Sequence, residues 1–252
     1  MAKEKQAGKQ GKKAGKTAGK NRKRAVKGRK IEPTGAGQGK QYKEERIFMD
    51  KWVEFAMRIQ SLAQAGLAYG KNEYDIERYE ELRSIAAEML SCKTEEPVEK
   101  VKEFFCNETG YQTPKLDTRA AVFKDEKILL VHEKNGTWSL PGGWCDVDQS
   151  VADNVIKETK EEAGLDVAVD KIIAVQDWRR HNACNLPCGI IKIFVLCRIL
   201  GGSFCENTET TEIGYFGREE LPEQLANEKT TAEQILMCFE ANGQENWKTI
   251  LD

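Results

Sequence analysis

The sequence predicts an α/β fold preceded by a small all-α unit and a basic tail, and three observations predict it. From about residue 113 onward, short β-rich runs alternate with helical periodicity. Residues 45–112 instead repeat apolar positions at three-and-four spacing, and residues 1–44 carry almost no large apolar side chains. The expected organisation is therefore a tail over 1–44, a helical domain over 45–112 and an α/β domain over 113–252, which 252 residues are long enough to build around real cores.

The α/β elements follow in order. "RAAVFK", "KILLVHE" and "TWSL" read as strands after the linker "GYQTPKLDT", which contains Pro114. "AVDKIIAVQDWRR", "GIIKIFVLCRIL" and "IGYFGREELP" continue the strand pattern, and "TAEQILMCFEAN" returns to helical spacing through Ile235, Leu236 and Phe239. Between them, "SVADNVIKETKEEAGL" has Val151, Val155 and Ile156 on one stripe. Asp148 or Ser150 can cap its start, and Gly164 can take the left-handed position at its end.

The helical unit is justified by two long segments and one short one. "EERIFMDKWVEFAMRIQSLAQAGLAYG" places Ile47, Phe48, Trp52, Phe55, Ala56, Ile59, Leu62 and Ala63 on an amphipathic face that stops near Gly66–Gly70. "YDIERYEELRSIAAEML" repeats the pattern, and in "EEPVEKVKEFFC" Pro97 stands near a helix start, where its missing N–H costs little. With no catalytic pair or glycine-rich loop in it, this unit reads as a packing or dimerisation element.

Charge is divided sharply. Residues 1–40 hold fourteen Lys or Arg against Glu4 and Glu32, a segment of +12, while the remaining 25 basic and 39 acidic residues sum to −14. The tail repeats Lys, Gly, Ala and Gln and cannot bury enough surface to offset the entropy of ordering, so it is expected to be disordered. No apolar stretch follows its charges as a secretory signal requires, and no later run reaches the roughly twenty apolar residues of a membrane span, so a cytoplasmic location is expected and no membrane association. Eight dispersed cysteines read as reduced thiols. His181, Cys184 and Cys188 in "HNACNLPC" fall short of the paired spacings of structural zinc and are the minor alternative.

The chemistry concentrates in "LPGGWCDVDQSVADNVIKETKEEAGL", residues 140–165. Glu158 lies one helical turn from Glu161 and Glu162, so like charges share one face, an arrangement that destabilises a helix by a few tenths of a kcal/mol or so per pair. A hard divalent cation reverses that sign, because Mg²⁺ takes oxygen ligands and joins carboxylates to a substrate's phosphates. Gly142 and Gly143 then supply a tight backbone that can turn a carbonyl towards the metal and let a phosphate approach. A solvated acidic face is the plain alternative for three glutamates; the fixed order of glycines, turn and helix argues against it.

This stretch resembles the box of the Nudix hydrolases, G-x5-E-x7-R-E-U-x-E-E-x-G-U with U aliphatic. From Gly143 the chain reads five residues, Gln149 for the first Glu, seven residues, Lys157 for Arg, then Glu158, Glu161, Glu162 and Gly164–Leu165 at the family's spacing. The resemblance implies a Nudix αβα sandwich and hydrolysis of a nucleoside diphosphate linked to another group, with Mg²⁺ or Mn²⁺ as cofactor. It implies Glu158 and Glu162 as main metal ligands, Glu161 as a further ligand or water-binding group, and the Gly143 carbonyl as a possible one. Gln149 and Lys157 depart from the charged pair that helps hold the family's catalytic helix, and Lys157 lacks the planar fork of Arg, so weaker positioning is expected, with a reduced metal count, slower turnover or an altered substrate as open alternatives; activity is expected to survive because Glu158, Glu161 and Glu162 remain.

Later residues are less determined. "CENTETTEIGYF" offers Glu209 and Glu212 as candidate general bases, against a reading of both as surface-loop acids. "QDWRRHN" offers Arg179, Arg180 and His181 to a phosphate and Trp178 for stacking, against a reading of Trp178 as core and the arginines as a solvated edge. Trp144, and Trp138 before the glycines, divide likewise between lining the site and packing. The helical extension ahead of "LPGGWCDV" looks like the bacterial subgroup of ADP-ribose and CDP-choline pyrophosphatases, which implies a homodimer through the helical domain and ADP-ribose first among substrates. Two rivals stand beside this: non-specific nucleic-acid contact through the tail, and a catalytically degenerate Nudix domain that senses a nucleotide.

Overall fold

A computed structural model of the chain describes residues 50–182 and 187–252. Ile47, Phe48, Cys184 and the whole tail lie outside the described residues. The described residues belong to one compact unit.

Three helices open it: α1 (Lys51–Tyr69), α2 (Glu73–Thr94) and α3 (Val98–Phe105). Asp50 and Asn72 cap α1 and α2 by accepting backbone N–H groups, and Pro97 occupies the cap position of α3, one residue ahead of the first turn. The wide apolar face of α1 splits in two. Val53 and Ala56 pack towards α2 and α3, against Ala86, Ala87, Leu90, Val101 and Phe105, and Ala63 is buried, whereas Trp52, Phe55 and Leu62 are exposed. Small residues dominate the buried stripe because they allow the helices a close approach, with Ile59 packed at its edge; the larger Trp52, Phe55 and Leu62 are left exposed.

The second part is a mixed sheet with helices on both faces. Its strands are β1 (Lys115–Lys124), β2 (Lys127–Glu133), β3 (Trp138–Ser139), β4 (Leu165–Asp177), β5 (Ile190–Gly202), β6 (Thr210–Phe216) and β7 (Ile250–Leu251), in the order β3-β2-β1-β5-β4-β7 with β6 paired to β2. β1 runs parallel to β5, so Asp117 lies opposite Lys192. The predicted linker ends earlier than expected, because "KLDT" already belongs to β1; the "WRR" expected to extend β4 forms a single 3-10 turn, and β7 had no sequence signal of its own.

Alternation along β1 sends residues to two cores. Ala120 and Val122 face the helix α4 (Val151–Ala163) with Leu129, Val155 and Val195, and Ala121 faces α5 (Ala232–Asn242) with Leu130, Phe194 and Ile235. Ser150 caps α4 and Gly164 closes it in the left-handed conformation at φ 70°, as the spacing predicts. The result is the expected αβα sandwich, with α4 packed across β1 and β4. Among the described residues, no helix is long and apolar enough to cross a membrane.

Candidate active site

The site is built where the turn after β3 crosses β1. Residues 141–145 run beside the start of β1: Pro141 and Gly143 carbonyls accept from Ala120 and Thr118 N–H, and Cys145 N–H donates to the Leu116 carbonyl. Gly142 holds φ 139°, and a Cβ there would stand 1.9 Å from the Thr118 carbonyl oxygen, so only glycine fits. Its N–H donates to Glu162 Oε2 at 2.8 Å, and a Cβ on Gly143 would meet Glu158 Oε2 at 2.8 Å. The two glycines therefore receive two of the three glutamates on bare backbone. Asn154, buried in α4, completes the joint by donating to Thr118 Oγ1 at 2.9 Å.

The three carboxylates share a face but differ in setting. The Glu158 side chain is 14% exposed and that of Glu161 60%. Burial raises the Glu158 carboxyl above its ordinary range and pushes that of Glu162 up to about 7, against the Gly142 N–H and the cations of Arg119 and Lys229, which favour its charged form. Lys157 stands among the acids. Its ammonium lies 2.7 Å from Asp146, 3.3 Å from Glu158 and 3.8 Å from Glu161, and the hydrogen bond to Asp146 leads the causes that hold its pKa above the ordinary value. The partner expected at residue 149 is thus supplied from residue 146, and Lys157 is anchored after all.

Among the described residues no three His, Cys, Asp or Glu side chains already converge as a metal cage. The donor set nonetheless suits Mg²⁺, which keeps several waters and needs only one or two carboxylates alongside substrate phosphates. Half-buried acids with raised pKa values are a form of negative charge that a divalent cation stabilises. The Gly143 carbonyl has one lone pair engaged by Thr118, leaving the other for a ligand.

Beside Glu162 opens a cleft of about 450 Å³, lined also by Glu133, Lys134, Glu209, Thr210 and Lys229. Glu209 therefore joins the acidic helix in one cleft, whereas Glu212 is exposed on β6 opposite His132 and does not line it. Asn207 fixes the loop: its side chain donates to the Glu161 carbonyl at 2.9 Å and accepts from Glu209 N–H at 2.9 Å. A second, mostly apolar groove of about 420 Å³ lies beyond Gly143, lined by Phe104, Phe105, Leu116, Trp144, Cys145 and polar neighbours. Trp144 is half-exposed in it, while Trp138 packs against Phe216 and His132.

The residues after β4 do not reach the cleft. Trp178 is fully buried with its indole N–H on the Cys188 carbonyl, which makes it core rather than a stacking platform. Arg179 is held by Asp177 at 2.5–3.0 Å, and His181 Nε2 lies 2.7 Å from Asp252. Neither these two nor Arg180 lines either opening. Sequence reading missed Glu133, Lys229, Asn207 and a buried charge cluster of Asp117, Arg119 and Lys192. Only the cluster left a trace, as charges inside the apolar strands "LDTRAAVF" and "IIKIFVL".

Comparison with known proteins agrees with this geometry. Residues 114–237 match the NUDIX domain, and residues 50–105 match a domain described as UDP-X-like, N-terminal oligomerisation domain. The chain is 42% identical over 203 residues to YjhB of Bacillus subtilis, provisionally named an ADP-ribose pyrophosphatase, covering 80% of this chain and 97% of that one. A crystal structure of an ADP-ribose pyrophosphatase from Streptococcus suis is 54% identical over 56% of this chain and all of its own, with a TM-score of 0.52. A UDP-X diphosphatase structure is 33% identical over 80% of this chain and 98% of its own, also at 0.52. A glycine turn that receives two half-buried glutamates, in a chain that spans nearly the whole length of such relatives, identifies this protein as a Nudix hydrolase, a pyrophosphatase of the phosphoanhydride-cleaving kind.

Proposed function

We propose that this enzyme uses Mg²⁺, or Mn²⁺, to cleave the pyrophosphate bond of a nucleoside diphosphate linked to another group, ADP-ribose first among them. The observation that carries the reading is the Glu162 carboxylate, held on the Gly142 N–H at the edge of a cleft shared with Glu209. Bound metal supplies charge neutralisation on phosphate oxygens and a more acidic water. Glu158 and Glu162 hold it, with Glu161 and the Gly143 carbonyl as further ligands. Glu209 accepts the proton of the attacking water from across the cleft, and its loop is kept in reach by Asn207. Glu212, exposed on β6, is the weaker candidate for that role. Trp144 and the groove beyond Gly142–Gly143 receive the base, a planar ring suited to an aromatic wall.

A UDP-linked substrate is the second reading. Residues 50–105 match a UDP-X-like domain, and the UDP-X diphosphatase likeness covers 80% of the chain against 56% for the Streptococcus one. The deciding experiment measures phosphate-ester products from ADP-ribose, UDP-sugars and CDP-choline with and without Mg²⁺ or Mn²⁺, for the wild type and Glu158→Gln. Turnover that is metal-independent, or unchanged in that variant, overturns the assignment; no turnover of any substrate favours a nucleotide sensor.

Residues 45–112 serve as a dimerisation domain for the catalytic domain over 113–252, because exposed Trp52, Phe55 and Leu62 form one apolar row on α1 within the stretch that matches an oligomerisation domain. Trp52→Glu with Phe55→Glu should convert a dimer to a monomer by light scattering. The basic tail makes salt-sensitive, non-specific contacts with nucleic acid, so deleting residues 1–40 should abolish RNA binding and spare hydrolysis.

A further inference from the structure

The cleft contains a cation that the carboxylate chemistry leaves unused. Lys229 lines it with Glu162 and Glu209, its side chain 39% exposed, and its ammonium lies 2.7 Å from Glu133 Oε1. Glu133 is held in turn by the Ser139 hydroxyl at 3.1 Å. An acidic cleft that must admit a diphosphate needs positive charge fixed at the right place, since each phosphate brings its own negative charge towards Glu133, Glu162 and Glu209.

The fixing is visible behind the wall. Asp117 accepts from Arg119 at 2.8 Å and from Lys192, and all three are almost fully buried. Burying two cations and one anion is costly unless every group is well partnered, and both cations reach past Asp117 to a backbone carbonyl. Arg119 Nη1 donates to the Leu140 carbonyl at 3.2 Å, two residues before the Gly142 that holds Glu162. Lys192 donates to the Lys229 carbonyl at 2.8 Å. One buried carboxylate therefore ties together both walls of the cleft: the turn that seats the acidic helix and the turn that carries Lys229. Burial alone would lower the Arg119 pKa, yet Asp117, with Glu162 and Glu133, keeps it above its ordinary value, so the guanidinium stays charged.

The geometry points to Lys229 as a substrate-binding residue that takes a non-bridging oxygen of the diphosphate, with Glu133 as its resting partner and Asp117 as the positioning residue that sets its distance from Glu162. This rests on the reading of the cleft as the diphosphate site, and the test is chosen to need no hydrolysis. Affinity for inorganic pyrophosphate is measured by calorimetry with Mg²⁺ present, for wild type, Lys229→Met, Lys229→Arg and Glu133→Gln, with thermal midpoints recorded for each. A lost charge-assisted hydrogen bond should weaken Lys229→Met by roughly ten- to hundredfold. Lys229→Arg should recover most of that, and Glu133→Gln should bind at least as tightly as wild type because it removes a competing acid. A wild type without pyrophosphate affinity, Lys229→Met within twofold of it, or Glu133→Gln weakened as much as Lys229→Met, would reduce the lysine to a structural ion pair and overturn the proposal. Pyrophosphate binding that depends on Lys229 in an enzyme that turns over no nucleotide would instead sink the choice of reaction and leave this residue's role standing.

Discussion

Replacing Gly142 with alanine tests the local architecture most directly. The residue sits at φ 139°, where a side chain costs about 1–3 kcal/mol in backbone strain. Its new Cβ would also stand 1.9 Å from the Thr118 oxygen, 2.9 Å from the Thr118 carbonyl carbon and 3.0 Å from Arg119 Cα, all backbone of a buried strand. That strand cannot yield, so the turn must move by about an ångström, and the Gly142 N–H then leaves the Glu162 carboxylate; a hydrogen bond to a charged group contributes about 1.5–3 kcal/mol. The two losses together give roughly 2.5–6 kcal/mol. Gly136 provides the control, with φ 86° and nothing within 4 Å of a Cβ, so Gly136→Ala should cost about 1–2 kcal/mol. Urea denaturation followed by tryptophan fluorescence measures both. If Gly142→Ala is no less stable than Gly136→Ala, the close approach to β1 does not hold the turn and the reasoning fails.

Three further outcomes are expected. Asp146→Asn removes the main partner of Lys157, and metal affinity should fall by about tenfold, as for other changes one step behind a metal ligand; manganese titration by electron paramagnetic resonance would detect it, and an unchanged affinity would show that Lys157 needs no anchor. The Glu162 pKa is raised in the folded protein, so the folded state binds the proton more tightly; in chelator, the contribution of this group to stability, about 3 kcal/mol, should be full below about pH 4.5 and lost as pH rises through 7, a difference between wild type and Glu162→Gln. Burial pushes the Cys197 thiol up to about 12 and the Cys238 thiol higher still, so a disulfide reagent at pH 8 should modify exposed Cys92 and Cys205 at once and these two only after unfolding.

Local patterns carried much of this molecule. The strand "KILLVHE" and the capped helix over 151–163 were readable because alternation, caps and a left-handed glycine act within a few residues. Glu158, Glu161 and Glu162 were legible for the same reason: a helix brings residues three and four apart together whatever surrounds it. What escaped depended on distance in the chain. Lys229 meets Glu133 only because the turn before α5 closes over β2, and Lys192 meets Asp117 only through the parallel pairing of β5 with β1. The outward row on α1 could not be separated from the inward one for a different reason, since periodicity marks an apolar face without saying which of its stripes a neighbouring helix will fill. Arg179 and His181 had the right chemistry for phosphate, but nearby Asp177 and Asp252 claimed them first.

The Asn207 clamp has an evolutionary corollary. One amide secures the β5–β6 segment to the end of the catalytic helix, while Cys205 and Glu206 just before it are exposed. Insertions or exchanges upstream of the clamp could reshape what the enzyme accepts without disturbing the acid that follows it, so divergence in selectivity among related chains should concentrate on that side of Asn207.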